Sequence, residues 1–260
     1  MNYIELAETP STNTYAAERA STLPHGTVVS TLKQTAGRGQ RGNVWEAEPG
    51  MNITMSVVLH PSDVHPSRQF SLSEAVAVAT VRTLSEYAED FSIKWPNDIY
   101  HADKKICGLL IEHSLSGARI DSTIAGIGVN VNQQVFRSDA PNPQSLRNIV
   151  CREIDRDALM RRLAEEIVSL CDALPEDEIR LHQEYLSLLY RREGFHEYVA
   201  KIRTDSADGR TALASGERFW ARIANVRPDG MLELVTDTGA VYVFAFKEVA
   251  YRIPGTDREL

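Results

Sequence analysis

The sequence has few cysteines and no long apolar run. Its three cysteines, Cys107, Cys151 and Cys171, are odd in number and widely spaced, which argues against a disulfide framework or a zinc site and predicts buried free thiols. No window approaches the roughly 18 to 20 consecutive apolar residues of a membrane-spanning helix. The N-terminal residues lack the basic start and the apolar stretch of a signal peptide. We therefore expect a cytoplasmic protein that does not associate with membranes.

The common signatures of nucleotide, metal and nucleic-acid binding are also missing. No Gly-x-x-x-x-Gly-Lys-[Ser/Thr] phosphate loop occurs, and the seven histidines are scattered without the spacing of metal ligands. The formal net charge of −8 at pH 7 disfavours non-specific binding to nucleic acid. A nucleotide bound to this chain must therefore be held by some other arrangement.

The most informative segment that is present runs from Gln34 to Trp45 and contains three glycines and two arginines. Glycines let backbone N–H groups approach an anion, arginines donate hydrogen bonds to phosphate or carboxylate, and tryptophan supplies a flat apolar wall. From composition alone, a surface loop without a ligand is the alternative. Residues 37–42 match Gly-x-Gly-x-x-Gly, but that dinucleotide fingerprint must open a helix. Here a β-branched run follows at 52–59, so we predict an anion-binding loop between two strands.

Periodicity and turn residues indicate an α+β protein with two domains. A helix should begin at Ser11 or Thr12, either of which can cap it. The other predicted elements are strands at 27–33, 52–59, 91–95 and 120–132, a hairpin at 99–112, and helices at 66–87, 159–174 and 176–192. Short alternating segments after Gly194, with Asp-Gly and Pro-Asp-Gly turns, suit a small β-barrel. We expect a first domain at 1–193 and a second at 194–260.

A second informative segment is residues 94–98, with the sequence Lys-Trp-Pro-Asn-Asp. The proline fixes a turn and biases the preceding tryptophan toward extended geometry. Asn97 and Asp98 lie at the exit of this turn, where a carboxylate is suited to hold a magnesium ion or a ribose hydroxyl. The alternative is a turn in which both side chains bond only their own backbone.

Lys105 lies on the second strand of the predicted hairpin. Strict alternation would place Lys105 and Cys107 on one face of that strand, with Ile106 and Gly108 on the other. Alternation alone does not say which face binds a ligand. A solvated surface lysine is the simpler interpretation of Lys105 taken by itself.

Together these segments resemble a known family. Residues 11–13, 34–45, 94–98, 105–108 and 126–130 occur in the order and spacing of biotin protein ligases, and the β-rich tail is similar to their SH3-like C-terminal domain. The resemblance implies a catalytic domain related to class II aminoacyl-tRNA synthetases, with a mixed sheet covered by helices. It also implies two reactions. Biotin and ATP form biotinyl-5′-AMP and pyrophosphate, and a lysine of the biotin carboxyl carrier protein of acetyl-CoA carboxylase then takes the biotinyl group.

The resemblance also implies roles for individual residues. The biotin site would be formed by Ser11, Thr12, Asn13, Gln34, Arg38, Gly39, Gln40 and Lys105. The ATP and adenylate site would be formed by Gly37, Gly42, Trp45, Lys94, Asn97, Asp98, Gly108 and Asn130, with Asp98 as a ligand of Mg²⁺. The catalytic cations would be Lys105, Arg38 and Arg41.

The sequence departs from the family pattern in two places. Many relatives have arginine where this chain has Gln40, which keeps a hydrogen-bond donor but loses a charge. We therefore expect somewhat faster release of biotinyl-AMP here than from an arginine-bearing relative. The second departure is that Ser11 comes too early for the helix-turn-helix domain of bifunctional relatives. This predicts a monofunctional ligase that does not bind DNA.

Two other functions stay open at this point. A lipoate or octanoate transferase shares the catalytic fold and acylates a similar carrier lysine, although the arginine–glycine loop and the Lys-Trp-Pro-Asn-Asp turn favour biotin. A non-catalytic sensor would bind biotin or the adenylate without transferring it, and it would not need Lys105, Asp98 and both loop arginines. The sequence does not choose between a monomer and a homodimer.

Overall fold

A computed structural model describes residues 1–39, 45–137 and 142–252. Its larger unit is a seven-stranded sheet in the order β1-β2-β3-β7-β6-β5-β4. The pair β1–β2 is parallel and the other pairs are antiparallel, so the sheet is mixed. The strands are β1 (Tyr3–Thr9), β2 (Thr27–Gln34), β3 (Ile53–Leu59), β4 (Phe91–Lys94), β5 (Asp98–His101), β6 (Lys104–Ser116) and β7 (Arg119–Val129).

Helices cover both faces of this sheet. They are α1 (Thr12–Arg19), α2 (Phe70–Ser85), α3 (Leu146–Val150), α4 (Arg156–Asp172) and α5 (Glu178–Ser187). Alternation along the strands sends Val28 and Val57 into the main core with α2, whereas their neighbours Val29 and Val58 pack in a smaller cluster with Ala16 of α1. Helix α2 is buried along most of its length, because its apolar residues are not confined to one stripe.

A second, antiparallel sheet follows α5. It has the order β13-β12-β11-β8-β14, and its strands are β8 (His196–Ala200), β11 (Arg218–Val226), β12 (Leu232–Thr236), β13 (Val241–Phe244) and β14 (Val249–Tyr251). A two-stranded ribbon of β9 (Thr204–Asp205) and β10 (Ala212–Leu213) accompanies it.

The two sheets share one continuous cluster of buried side chains. The indole N–H of Trp95 donates to the carbonyl oxygen of Gly230 at 2.9 Å. Gly230 lies in the β11–β12 turn with φ of +85°, and a Cβ there would come within 2.7 Å of the Phe70 ring. This turn therefore needs glycine both for its backbone conformation and for the close approach of α2.

Most of the predicted elements are confirmed, with three exceptions. Strand β1 was not expected, because its apolar and polar residues do not alternate clearly, and neither was the five-residue helix α3. The predicted helix at 176–192 ends at Ser187. The prediction that all cysteines are buried is wrong for Cys151, which is exposed at the left-handed C-cap of α3 with φ of 56°.

Residue 193, the predicted domain boundary, lies in the connection between α5 and β8. Dividing the chain at this point stays a proposal. None of the helices in the three described ranges combines the length and the apolarity needed to cross a membrane.

Candidate active site

One open cleft collects most of the residues singled out in the sequence. The first turn of α1, the end of β2, the β4–β5 turn and the strands β3, β6 and β7 all contribute to its walls. The predicted residues that line it are Ser11, Thr12, Asn13, Gln34, Arg38, Gly39, Trp45, Lys94, Asn97, Asp98, Lys105 and Gly108.

One wall of the cleft is a buried network of uncharged polar groups. Ser11 caps α1 by accepting a hydrogen bond from the Thr14 N–H at 3.4 Å, which fixes the first turn of the helix. The Thr12 N–H donates to Gln34 Oε1 at 2.8 Å. Ser56 Oγ of β3 lies 2.8 Å from Thr12 Oγ1 and 2.6 Å from Asn13 Oδ1. Such a network fixes the orientation of each donor and acceptor before a ligand arrives.

The network continues to a carboxylate that sequence reasoning missed. Asn13 Nδ2 donates to Glu112 Oε2 at 2.8 Å, and Arg38 Nη2 donates to the same oxygen, also at 2.8 Å. Glu112 lies on β6 two and four residues beyond Leu110 and Gly108, which both line the cleft. The period of two along this strand was therefore a signal that could have found it.

Lys105 and Asp98 form an ion pair in the cleft, with Lys105 Nζ 2.7 Å from Asp98 Oδ1. The predicted alternation around Lys105 is wrong. The register between β5 and β6 shifts between Ile99 and Tyr100, so that an extra residue enters β6. As a result Lys105 lies on the same face as Gly108, where a Cβ would be 3.5 Å from Lys105 Cε, while Cys107 is fully buried.

Trp45 lies flat against a pair of glycines. Gly108 of β6 and Gly128 of β7 are directly opposite each other in the sheet. A Cβ would come within 2.9 Å of the Trp45 ring at Gly108 and within 2.5 Å at Gly128. Trp45 Nε1 is buried and has no hydrogen-bond partner among the described residues, and Lys105 Nζ lies 5.7 Å from the ring centroid. The absence of side chains at the two glycines therefore lets the Trp45 ring pack closely on the sheet, beside the ammonium group of Lys105.

Lys94 is the second cation of the cleft. Its Nζ lies 5.7 Å from the ring centroid of Tyr100 and 5.1 Å from that of Tyr251, which belongs to the second sheet. Burial lowers the pKa of Lys94 to about 8, and the nearby carboxylate of Asp98 opposes this shift only in part. Lys94 is therefore a cation whose charge depends on pH near neutrality.

Asn97 holds the β4–β5 turn against β6. Its side-chain amide donates to the Leu109 carbonyl oxygen, and its backbone carbonyl oxygen accepts from the Leu109 N–H at 3.1 Å. Gly37 does not line the cleft. Its carbonyl oxygen accepts from the Trp45 N–H at 3.2 Å and so joins the two ends of the loop.

Asn130 also lies outside the cleft, where its Nδ2 donates to the Gln144 carbonyl oxygen at 3.0 Å. Its Oδ1 is buried and has no hydrogen-bond partner among the described residues. Gln40, Arg41 and Gly42 lie outside the described residues.

Phe246, in the connection between β13 and β14 of the second sheet, also lines the cleft, and no local sequence pattern marks it as a site residue. Its ring meets that of Trp95 edge to face, with centroids 6.4 Å apart. Other lining residues not predicted as site residues are Thr54, Met55, Trp95, Pro96, Leu109, Leu110, Gly126, Ile127 and Gly128.

The described residues contain no cluster of three or more His, Cys, Asp or Glu side chains able to hold a metal ion. Oxygen donors of the type that Mg²⁺ prefers are present in Asp98 and in the unpartnered Oδ1 of Asn130. Asp98 lines the cleft whereas Asn130 lies outside it, so Asp98 is the residue that fits a magnesium ion held mainly by phosphate oxygens and water.

The mixed sheet covered by helices, joined to a small antiparallel sheet, is the α+β architecture expected from the sequence. Comparison with solved structures agrees. The biotin protein ligase from Aquifex aeolicus in complex with biotin and ATP superimposes with a TM-score of 0.74, covering 96% of this chain and 98% of that one at 23% identity. At this identity the likeness establishes the fold.

The model of the Biotin/lipoate A/B protein ligase family matches residues 5–130 of this chain. Over 160 residues the chain is 38% identical to the bifunctional ligase/repressor BirA of Bacillus subtilis, covering 59% of this chain and 48% of the relative. Over 128 residues it is 37% identical to the biotin–[acetyl-CoA-carboxylase] ligase of Paracoccus denitrificans, covering 48% and 53%. The resemblance to biotin protein ligases is thus confirmed, and the chain spans about half the length of these curated relatives.

Proposed function

We propose that this chain is an ATP-dependent biotin protein ligase that forms biotinyl-5′-AMP and transfers the biotinyl group to a lysine of a biotin carboxyl carrier protein. The observation that carries the proposal is that one cleft contains both a network of uncharged polar groups and a pair of lysines. The uncharged network of Thr12, Asn13 and Gln34 suits the neutral ureido group of biotin, and Lys94 and Lys105 suit phosphate. Trp45 offers an apolar face between groups of these two kinds.

The first reaction joins two anions. A carboxylate oxygen of biotin attacks the α-phosphorus of ATP, a new P–O bond forms, and the bond to pyrophosphate breaks. Negative charge on the α-phosphoryl oxygens increases in the transition state, so a fixed cation beside them lowers the barrier. Lys105 is held for this role by Asp98, since the 2.7 Å ion pair restricts its side chain.

In the second reaction the amine of the carrier lysine attacks the acyl carbon of the adenylate, and AMP leaves. Magnesium, when bound with ATP, would neutralise phosphate charge, and Asp98 is the residue in the cleft that would hold it. The acceptor would be the carrier protein of a biotin-dependent carboxylase, in line with the printed name of the Paracoccus denitrificans relative. We also propose a cytoplasmic location and no DNA partner.

The test is transfer to purified carrier domains. The full chain is incubated with ATP, Mg²⁺ and either biotin or lipoate, and each carrier domain is weighed by mass spectrometry. We expect a mass increase of one biotinyl group on the biotin carrier only. Lipoylation would instead establish the lipoate ligase alternative, and tight biotin binding without any carrier modification would establish a sensor.

A further inference from the structure

Glu112 connects two parts of the candidate site that are far apart in sequence. Its Oε2 accepts hydrogen bonds from Asn13 Nδ2 and from Arg38 Nη2, both at 2.8 Å, and its Oε1 accepts from Arg38 Nη2 at 3.1 Å. Asn13 lies in the first turn of α1, and Arg38 lies in the segment between β2 and β3. One carboxylate therefore ties that segment to the buried polar wall of the cleft.

The contact differs from an ordinary surface ion pair, although the side chains of Arg38 and Glu112 are 46% and 38% exposed. An isolated exposed pair gains little, because two long side chains must be ordered to form it. Here Asn13 is already fixed. It is 3% exposed, its Nδ2 also donates to the Leu110 carbonyl oxygen at 3.1 Å, and its Oδ1 lies 2.6 Å from Ser56 Oγ. Part of the ordering cost of Glu112 is thus met before Arg38 binds to it.

We propose that Glu112 is a positioning residue that holds Arg38, and with it the start of the 34–45 segment, at the biotin part of the cleft. This inference rests on the proposed function for its ligand. Arg38 and Gly39 both line the cleft, so fixing the Arg38 guanidinium also restrains the backbone of these two residues. A segment that is ordered in advance loses less conformational entropy when the ligand binds, which strengthens binding.

The main variant is Glu112→Gln, which keeps an oxygen acceptor for Asn13 but removes the charge that pairs with Arg38. We expect biotin to bind about tenfold more weakly in calorimetry without ATP, as for loss of one charge-assisted hydrogen-bond pair. The KM for biotin should rise by a similar factor, while kcat for carrier modification stays near that of the natural protein. The matched control is Glu86→Gln, which breaks the 2.8 Å pair of Glu86 with Arg162, of similar exposure, and should change neither value.

A double-mutant cycle tests whether Glu112 acts through Arg38. If it does, Glu112→Gln together with Arg38→Gln should bind biotin as weakly as Arg38→Gln alone. Additive losses would overturn the proposal, because Glu112 would then act through Asn13 or as a general negative charge. An unchanged biotin affinity in Glu112→Gln would overturn it as well.

Limited trypsin digestion separates this inference from the proposed function, since it needs no ligand. Trypsin cleaves after arginine, and Arg38 and Arg41 both lie in the segment. Freeing Arg38 from its carboxylate should raise the cleavage rate in this segment about fivefold or more in Glu112→Gln, but not in Glu86→Gln. If the chain bound no biotin, the proposed function would fail and this rate would still decide the positioning role. Equal cleavage rates would reject the positioning role even in an active ligase.

Discussion

At the scale of single residues, the ion pair of Lys105 with Asp98 gives a clear expectation. Lys105→Ala removes a cation assigned to the transition state and leaves the strand intact. We expect formation of biotinyl-AMP to slow by about 10² to 10³, or about 3 to 4 kcal/mol. The measurement is the pyrophosphate release rate at saturating biotin and ATP, with circular dichroism to check folding. Near-normal turnover in a folded variant would refute the role of Lys105.

The charge of Lys94 predicts that kcat/KM for ATP depends on pH. Burial lowers the pKa of Lys94 to about 8, so the free protein carries this cation below about pH 8 and loses it above. If Lys94 binds phosphate, kcat/KM for ATP should fall as the pH rises through this value. Lys94→Arg keeps its charge throughout and should move the fall to higher pH. A fall at the same pH in both proteins would assign the titration to another group.

At the scale of elements, His182 of α5 and Glu74 of α2 link two helices across the core, with His182 Nδ1 2.8 Å from Glu74 Oε1. Hydrogen bonding to Glu74 raises the pKa of His182, and burial raises the pKa of Glu74. Both groups bind protons more strongly in the folded state than in the unfolded state. The stability from His182 is therefore fully present below its unfolded pKa of about 6.5 and is lost as the pH rises through its higher folded pKa.

The test is urea unfolding between pH 6 and 8.5. The midpoint of the natural protein should fall over this range more steeply than that of His182→Gln. His196→Gln is the control, since His196 lies on β8 and contacts the Glu193 carbonyl oxygen instead. Parallel curves for the natural protein and His182→Gln would show that the pair has no effect on the pH dependence.

The elements also show where sequence reasoning succeeds and where it stops. Helix α4 was predictable because its apolar residues repeat with the period of a helix, and strands β2 and β3 were predictable because they are runs rich in β-branched residues. The register shift beside Lys105 was not, because an inserted residue leaves the local pattern unchanged and is decided by pairing with β5. The sequence therefore predicted the strand of Lys105 correctly but placed its side chain on the wrong face of that strand.

At the scale of the whole molecule, the second sheet completes the cleft through Phe246. Most cleft residues of the first sheet and its connections were predictable, because they lie in short segments of unusual composition. Phe246 was not, since its position depends on how two separate sheets pack. Trp95 connects this part of the second sheet to the cleft, because it donates to the Gly230 carbonyl oxygen and its ring meets that of Phe246.

Phe246→Ala should therefore weaken ATP use more than biotin binding, because Trp95 belongs to the segment that carries Lys94 and Asp98. We expect kcat/KM for ATP to fall about tenfold and the Kd for biotin to stay near that of the natural protein, as for loss of one aromatic pair and its buried area. Trp220→Ala is a control on the same sheet, where Trp220 is 58% exposed. Equal effects of the two substitutions would show that Phe246 has no special role.

The paired glycines beneath Trp45 have a consequence for how the large sheet holds together. Glycine inside a strand lowers its stability by about 0.5 to 1 kcal/mol relative to alanine, and here two glycines face each other in neighbouring strands, β6 and β7. The side chain that covers this bare patch comes from the 34–45 segment rather than from the strands. When that segment is ordered, Trp45 shields β6 and β7 from water. A substitution that disorders the segment should therefore lower the stability of these two strands.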